Sequence, residues 1–79
     1  MDIKVLGTGC ANCRNTIALI SEVAAVRGVA IKLEKVEELR DIMGYGVRRT
    51  PGVVINGKVG HAGGVPSRDK IEQWLTAPA

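Results

Sequence analysis

An α/β fold of order β-α-β-α-β-β-α, with a four-stranded mixed sheet flanked by three helices, is predicted by three features of the sequence. A short apolar run ending in glycine, Ile3 to Leu6 and then Gly7, leads into a long helical pattern closed by Gly28. An alternating segment follows, in which Ile31 and Leu33 interleave with Lys32 and Glu34. An Asn56-Gly57 dipeptide, the strongest short-range hairpin signal, then joins the apolar run Val53 to Ile55 to a fourth short strand.

The elements follow in order. The first strand is Ile3 to Leu6. The first helix spans Ala11 to Arg27, because Cys13, Ile17, Ile20 and Ala24 recur on one face at helical spacing. That spacing turns Cys13 toward the core and leaves Cys10 nearer solvent, at the start of the helix. The second strand is Ala30 to Val36. A short helix over Glu37 to Met43 comes next, with Glu37 and Glu38 in its first turn and an apolar side made of Val36, Leu39, Ile42 and Met43. Gly44 and Gly46 stop it. Val53 to Ile55 and Lys58 to Ala62 form the hairpin, and Gly63-Gly64 breaks its second strand. Ser67 caps a last helix that turns Ile71, Trp74 and Leu75 inward. The first β-α-β unit is expected to be parallel, since a helical crossover joins its strands.

A chain of 79 residues makes one domain, 1–79, and buries only about 60% of the surface its unfolded form exposes. With no Phe, one Trp and one Tyr, the core must come from Val, Ile, Leu and Ala. No apolar stretch approaches the ~20 residues of a membrane span. Met1-Asp2-Ile3-Lys4 runs straight into the first strand without the regions of a signal peptide. The expected compartment is therefore the cytoplasm, and the expected state a monomer. The net charge is +3, but Lys and Arg are scattered and rings are nearly absent. That pattern argues against nucleic acid as a partner, which asks for a basic cluster and stacking aromatics.

Cys10-Ala11-Asn12-Cys13 holds both cysteines of the chain, at the junction of the first strand and the first helix. A sulfur at a helix N-terminus faces unpaired N–H groups, which favour the thiolate. A thiolate there can attack a disulfide, and a second thiol three residues on can then release it. Cys10 is thus the candidate nucleophile and Cys13 the candidate resolving thiol. A purely structural disulfide is a poor alternative, since closing so short a loop contributes at most roughly 2 kcal/mol. A reducing cytoplasm would also keep it open.

Gly7-Thr8-Gly9-Cys10-Ala11-Asn12-Cys13, Thr50-Pro51-Gly52, the Asn56-Gly57 hairpin and Gly63-Gly64 together resemble a minimal thioredoxin or glutaredoxin fold. More narrowly, the chain is similar to the small thioredoxin-like redox-active disulfide proteins of archaea and bacteria, over essentially its whole length. The resemblance implies a third strand antiparallel to the first, so that Thr50 and Pro51 face the cysteines. It implies a cis Pro51 and a substrate segment paired with the backbone of Thr50 like an added strand. It also implies a thiol–disulfide oxidoreductase without a bound cofactor. Its partners would be a disulfide-containing target protein and a thioredoxin-reductase-like electron donor. Arg14, Arg48 and Arg49 would favour the Cys10 thiolate and attract acidic partners; read plainly, they are solvated loop charges.

The chain departs from the family pattern in places. Typical thioredoxins carry Trp before the first cysteine and Gly-Pro inside the motif, where this chain has Gly9 and Ala11-Asn12. They also bury an Asp where Lys4 stands here. Glutaredoxins expect an acid after the Gly-Gly pair, which Val65-Pro66-Ser67 does not supply. The competing reading is a Cu(I) or soft-metal chaperone of ferredoxin-like fold, binding its cargo through the same two sulfurs. Such chaperones usually have Met at the position of Thr8 and a hairpin after the first helix. Structural zinc asks for four N or S ligands, and only His61 could add a third.

Overall fold

Residues 1–9 and 11–76 are described by the computed structural model. Its elements are β1 (Asp2–Leu6), α1 (Ala11–Arg27), β2 (Lys32–Val36), α2 (Leu39–Gly44), β3 (Gly52–Ile55), β4 (Lys58–Ala62) and α3 (Arg68–Thr76). The strands form one four-stranded sheet in the order β2-β1-β3-β4. β1 pairs parallel with β2 and antiparallel with β3, and β3 pairs antiparallel with β4. This is the mixed sheet and element order of a minimal thioredoxin-like fold.

Side-chain alternation gives the sheet two apolar faces. On one, Ile3, Val5 and Val53 pack against Ile20, Val23 and Ala24 of α1 and Ile71 and Leu75 of α3. On the other, Leu6 and Val54 pack with Ile42 of α2 and Val47. Adjacent Val53 and Val54 thus serve opposite layers. The α1 stripe is wider than Cys13, Ile17, Ile20 and Ala24. Thr16 and Val23 are fully buried as well, and Ile17 is half-buried. The Thr16 hydroxyl meets the cost of its burial by donating to the Asn12 carbonyl at 2.7 Å.

The ends of the elements follow their local chemistry. Gly28 takes a positive φ of 66° after the last turn of α1. Its N–H reaches Ala25 O, and Val29 N–H reaches Ala24 O, the two bonds of a Schellman close. Since Val29 belongs to that close, β2 starts at Lys32 rather than Ala30, with Lys32 N–H donating to Met1 O at 2.8 Å. Asn56 and Gly57 both have positive φ, as a type I′ hairpin requires. Asn56 also ties the turn to β1 through Asp2 N–H to Asn56 Oδ1 at 2.9 Å. The Ser67 hydroxyl caps α3 by accepting from Lys70 N–H at 3.1 Å.

The expected helix over Glu37 to Met43 is corrected. Glu38 is extended (φ −72°, ψ 120°), so α2 starts at Leu39 and Glu37 stays outside it. Its predicted apolar side is also too broad. Ile42 is buried and Val36 half-buried, while Leu39 and Met43 are 64% and 71% exposed. A helix of six residues turns little of its surface to the sheet, and Val47 fills the rest of the layer. Among the described residues, no helix is long and apolar enough to cross a membrane.

Candidate active site

Cys13 lies in the first turn of α1 and is 3% exposed. Cys10, the residue before that helix, lies outside the described residues. The sulfur of Cys13 rests on the backbone of Gly7, just past the end of β1. A Cβ on Gly7 would overlap Cys13 Sγ and would stand 3.7 Å from Thr50 Cβ. The buried sulfur and the segment before β3 therefore meet at one point, and the point is a bare glycine. The pairing of Leu6 with Gly52 across β1 and β3 brings them together. Antiparallel pairing sets the start of one strand beside the end of the other.

Thr50 is exposed and Pro51 is buried, and the bond between them is cis. Pro51 O accepts from Gly63 N–H at 3.0 Å, which fixes the glycine pair after β4 beside the proline. Among the described residues, the Thr50 backbone N–H and C=O have no hydrogen-bond partner. Gly63 and Gly64 both have positive φ, 84° and 71°. The side chain of Arg49 lies along Gly63, with its Cδ and Cβ 3.1 and 3.2 Å from where a Cβ would stand. Arg48 and Arg49 are exposed and make no ion pair among the described residues. Arg14 is also exposed; its Nη1 donates to Gly9 O at 2.8 Å, so its charge sits over the residue preceding Cys10.

A cavity of about 180 Å³ opens beside Cys13, between α1 and the β1–β2 pair. Arg14, Lys35 and Glu37 are the charged groups that line it. Lys35 and Glu37 do not follow from motif spacing. A signal for both exists in the sequence: the alternation Leu33, Lys35, Glu37 carries the pattern of β2 past its end. Assigning Glu37 to a helix conceals that signal.

His61 is a structural residue. Lys70 Nζ lies 2.9 Å from its Nδ1, and its Nε2 lies 3.1 Å from Gly64 O. An ammonium can only donate, so Nδ1 accepts and Nε2–H donates to the carbonyl. With both ring nitrogens engaged, His61 is not a ready metal ligand. Lys4 alternates with Ile3 and Val5 on β1, away from the face that α1 covers.

A thiol in the first turn of the helix after β1, with a Thr-Pro pair opening an antiparallel neighbour, defines a protein of the thiol redox class. The comparisons with known proteins agree. The family model described as "Thioredoxin domain" matches residues 1–76. A thioredoxin of Methanothermobacter thermautotrophicus is 32% identical over 76 residues, 96% of this chain and 99% of the relative. A thioredoxin of Methanocaldococcus jannaschii is 29% identical over 73 residues, 92% of this chain and 84% of the relative. The chain belongs to the thioredoxin family and is a thioredoxin-type redox protein.

Proposed function

We propose that the protein is a thiol–disulfide oxidoreductase that reduces or exchanges protein disulfides through a Cys10–Cys13 dithiol/disulfide cycle. The observation that carries this reading is the convergence of the Cys13 sulfur and Thr50 on Gly7. It joins a shielded thiol to an exposed strand-like segment with unused backbone groups.

In this cycle Cys10 attacks a target disulfide as the thiolate. One target sulfur leaves and the other stays bonded to Cys10. Cys13 then attacks Cys10 Sγ, the mixed disulfide breaks, and the second target sulfur leaves with its electron pair. Thr50 receives an extended segment of the target through its backbone, and Pro51, which has no N–H, presents no competing donor. A reductase-like electron donor returns the Cys10–Cys13 disulfide to the dithiol. We assign the cycle to the cytoplasm, where reductants of that kind keep dithiols open. The ferredoxin-like chaperone reading has no comparable support, because the element order here is that of a thioredoxin.

The test is reduction of insulin disulfides with dithiothreitol as the final donor. The wild-type protein is expected to shorten the lag before precipitation, and Cys10→Ser to leave it at the protein-free value. Equal lags with and without the wild-type protein would refute the proposal.

Arg48 and Arg49 directly precede Thr50, and in this reading they steer acidic targets. The double variant Arg48→Glu/Arg49→Glu is expected to slow reduction of an acidic disulfide peptide by about tenfold at low salt. The difference should fade as the Debye length falls toward ~3 Å near 1 M salt. A loss of rate independent of salt would show that the arginines act otherwise.

A further inference from the structure

We propose that Glu37 accepts the proton of Cys13 when that thiol becomes the resolving nucleophile; this rests on the disulfide-exchange cycle above. Cys13 is 3% exposed, and burial opposes formation of a thiolate. The proton needs an acceptor placed where it can serve the buried sulfur.

The strand register supplies one. Gly7 N–H donates to Val36 O at 2.9 Å, which carries the parallel β1–β2 pairing beyond its last rung, Leu6 with Val36. Glu37 therefore sits beside Gly7, with neighbouring strands about 4.8 Å apart. Side chains alternate along β2, and Lys35 pairs with Val5 on the face that α1 covers. Glu37, two residues on, emerges on that same face. The Cys13 sulfur already occupies that face over Gly7. Gly7 keeps the space open, since a Cβ there would overlap the sulfur, and Glu37 Oε2 lies at ordinary contact distance, 3.5 Å, from where a Cβ on Gly9 would stand.

Cys13 and Glu37 line one cavity of about 180 Å³. At ~30 Å³ per molecule, that space has room for bridging water between them. The other charged groups facing the cavity are Arg14 from α1 and Lys35 from β2, and both are cationic donors. Among the described lining residues, Glu37 is the one carboxylate, so it is the group that can take a proton. It is exposed, and therefore exchanges that proton with solvent.

The step balances. The Cys13 S–H bond breaks and its proton passes to the Glu37 carboxylate, through cavity water. The thiolate electron pair makes the Cys13–Cys10 bond. The bond between Cys10 and the target sulfur breaks, and the target sulfur leaves with that pair and takes a proton from Glu37 or solvent. The dithiol is oxidised and the target disulfide reduced by two electrons.

Stopped-flow reaction of the reduced protein with limiting dithionitrobenzoate separates the steps. The first thionitrobenzoate leaves when Cys10 attacks, the second when Cys13 resolves. In Glu37→Gln the first release should keep its wild-type rate. The second should slow by about tenfold near neutral pH, the low end of what proton transfer by a side chain contributes. The two proteins should converge only above a pH of about 8.5, the ordinary value for a thiol, because burial raises the pH at which Cys13 ionises unaided. Glu37→Asp should recover most of the rate. An unchanged second release in Glu37→Gln, or one slowed equally at every pH, overturns the role of Glu37. A wild-type protein with no second release overturns the dithiol cycle itself, and this role with it.

Discussion

Cys13→Ser protein will accumulate as a mixed disulfide with its targets, and Cys10→Ser protein will not. The argument rests on which sulfur can do which step. In the proposed cycle Cys10 makes the first bond to the target, and only a second thiolate can break it from within. A serine hydroxyl at position 13 cannot attack a disulfide sulfur, so the adduct waits for an external thiol. Uncatalysed disulfide rearrangement takes minutes to hours, so the adduct should survive non-reducing electrophoresis. The converse variant keeps Cys13, which is 3% exposed and pinned over Gly7. It has no open path to a target the size of a protein. Incubation of each variant with oxidised insulin or a cell lysate, alkylation, and peptide mass spectrometry of the adducts is the measurement. Adducts through Cys13 in Cys10→Ser protein at a comparable yield would reverse the roles. Adducts in neither variant would remove the cycle.

The place of Cys13, in the first turn of a helix with its side chain buried, is legible in the sequence for a physical reason. A Cys-x-x-Cys at the start of a helix is a local pattern, and local patterns carry their own spacing. The same holds for Gly28 and for Asn56-Gly57, whose backbone demands are met within a few residues. The approach of Thr50 to Cys13 is different. It depends on β3 lying beside β1, which the resemblance implied and no periodicity could show. Glu37 was hidden by a competition between two local rules. Two glutamates followed by Leu39 and Ile42 read as a helix start. The hydrogen bond from Gly7 to Val36 keeps the chain in strand register for one residue more. Gly7 itself looked like the end of a strand, because its second role appears only when Cys13 arrives from α1.

That second role carries the other large expected effect. Gly7→Ala should destabilise the reduced protein by about 1–3 kcal/mol, the usual cost of overpacking a buried site. The backbone is not the obstacle, since Gly7 does not have a positive φ. The obstacle is the Cys13 sulfur, which a Cβ at Gly7 would overlap. Cysteine has one heavy-atom torsion with which to move its sulfur, and its rotamers in a helix are few. Gly60→Ala is the contrasting case: its Cβ would come within 2.7 Å of Ile55 Cδ1, the far end of a flexible side chain on a half-buried residue. That change should cost less. Urea unfolding under reducing conditions measures both, with an unchanged m-value as the sign that the folded state is retained. The decisive comparison is the double variant Gly7→Ala/Cys13→Ala. Removing the sulfur takes away the atom that the new methyl meets, so the double variant should be more stable than the sum of its singles requires, by about 1 kcal/mol or more. Strict additivity would mean that Gly7 is needed for some reason other than the sulfur above it. A coupling of the expected sign would show that the glycine after β1 is what lets the Cys13 sulfur be buried beside Thr50.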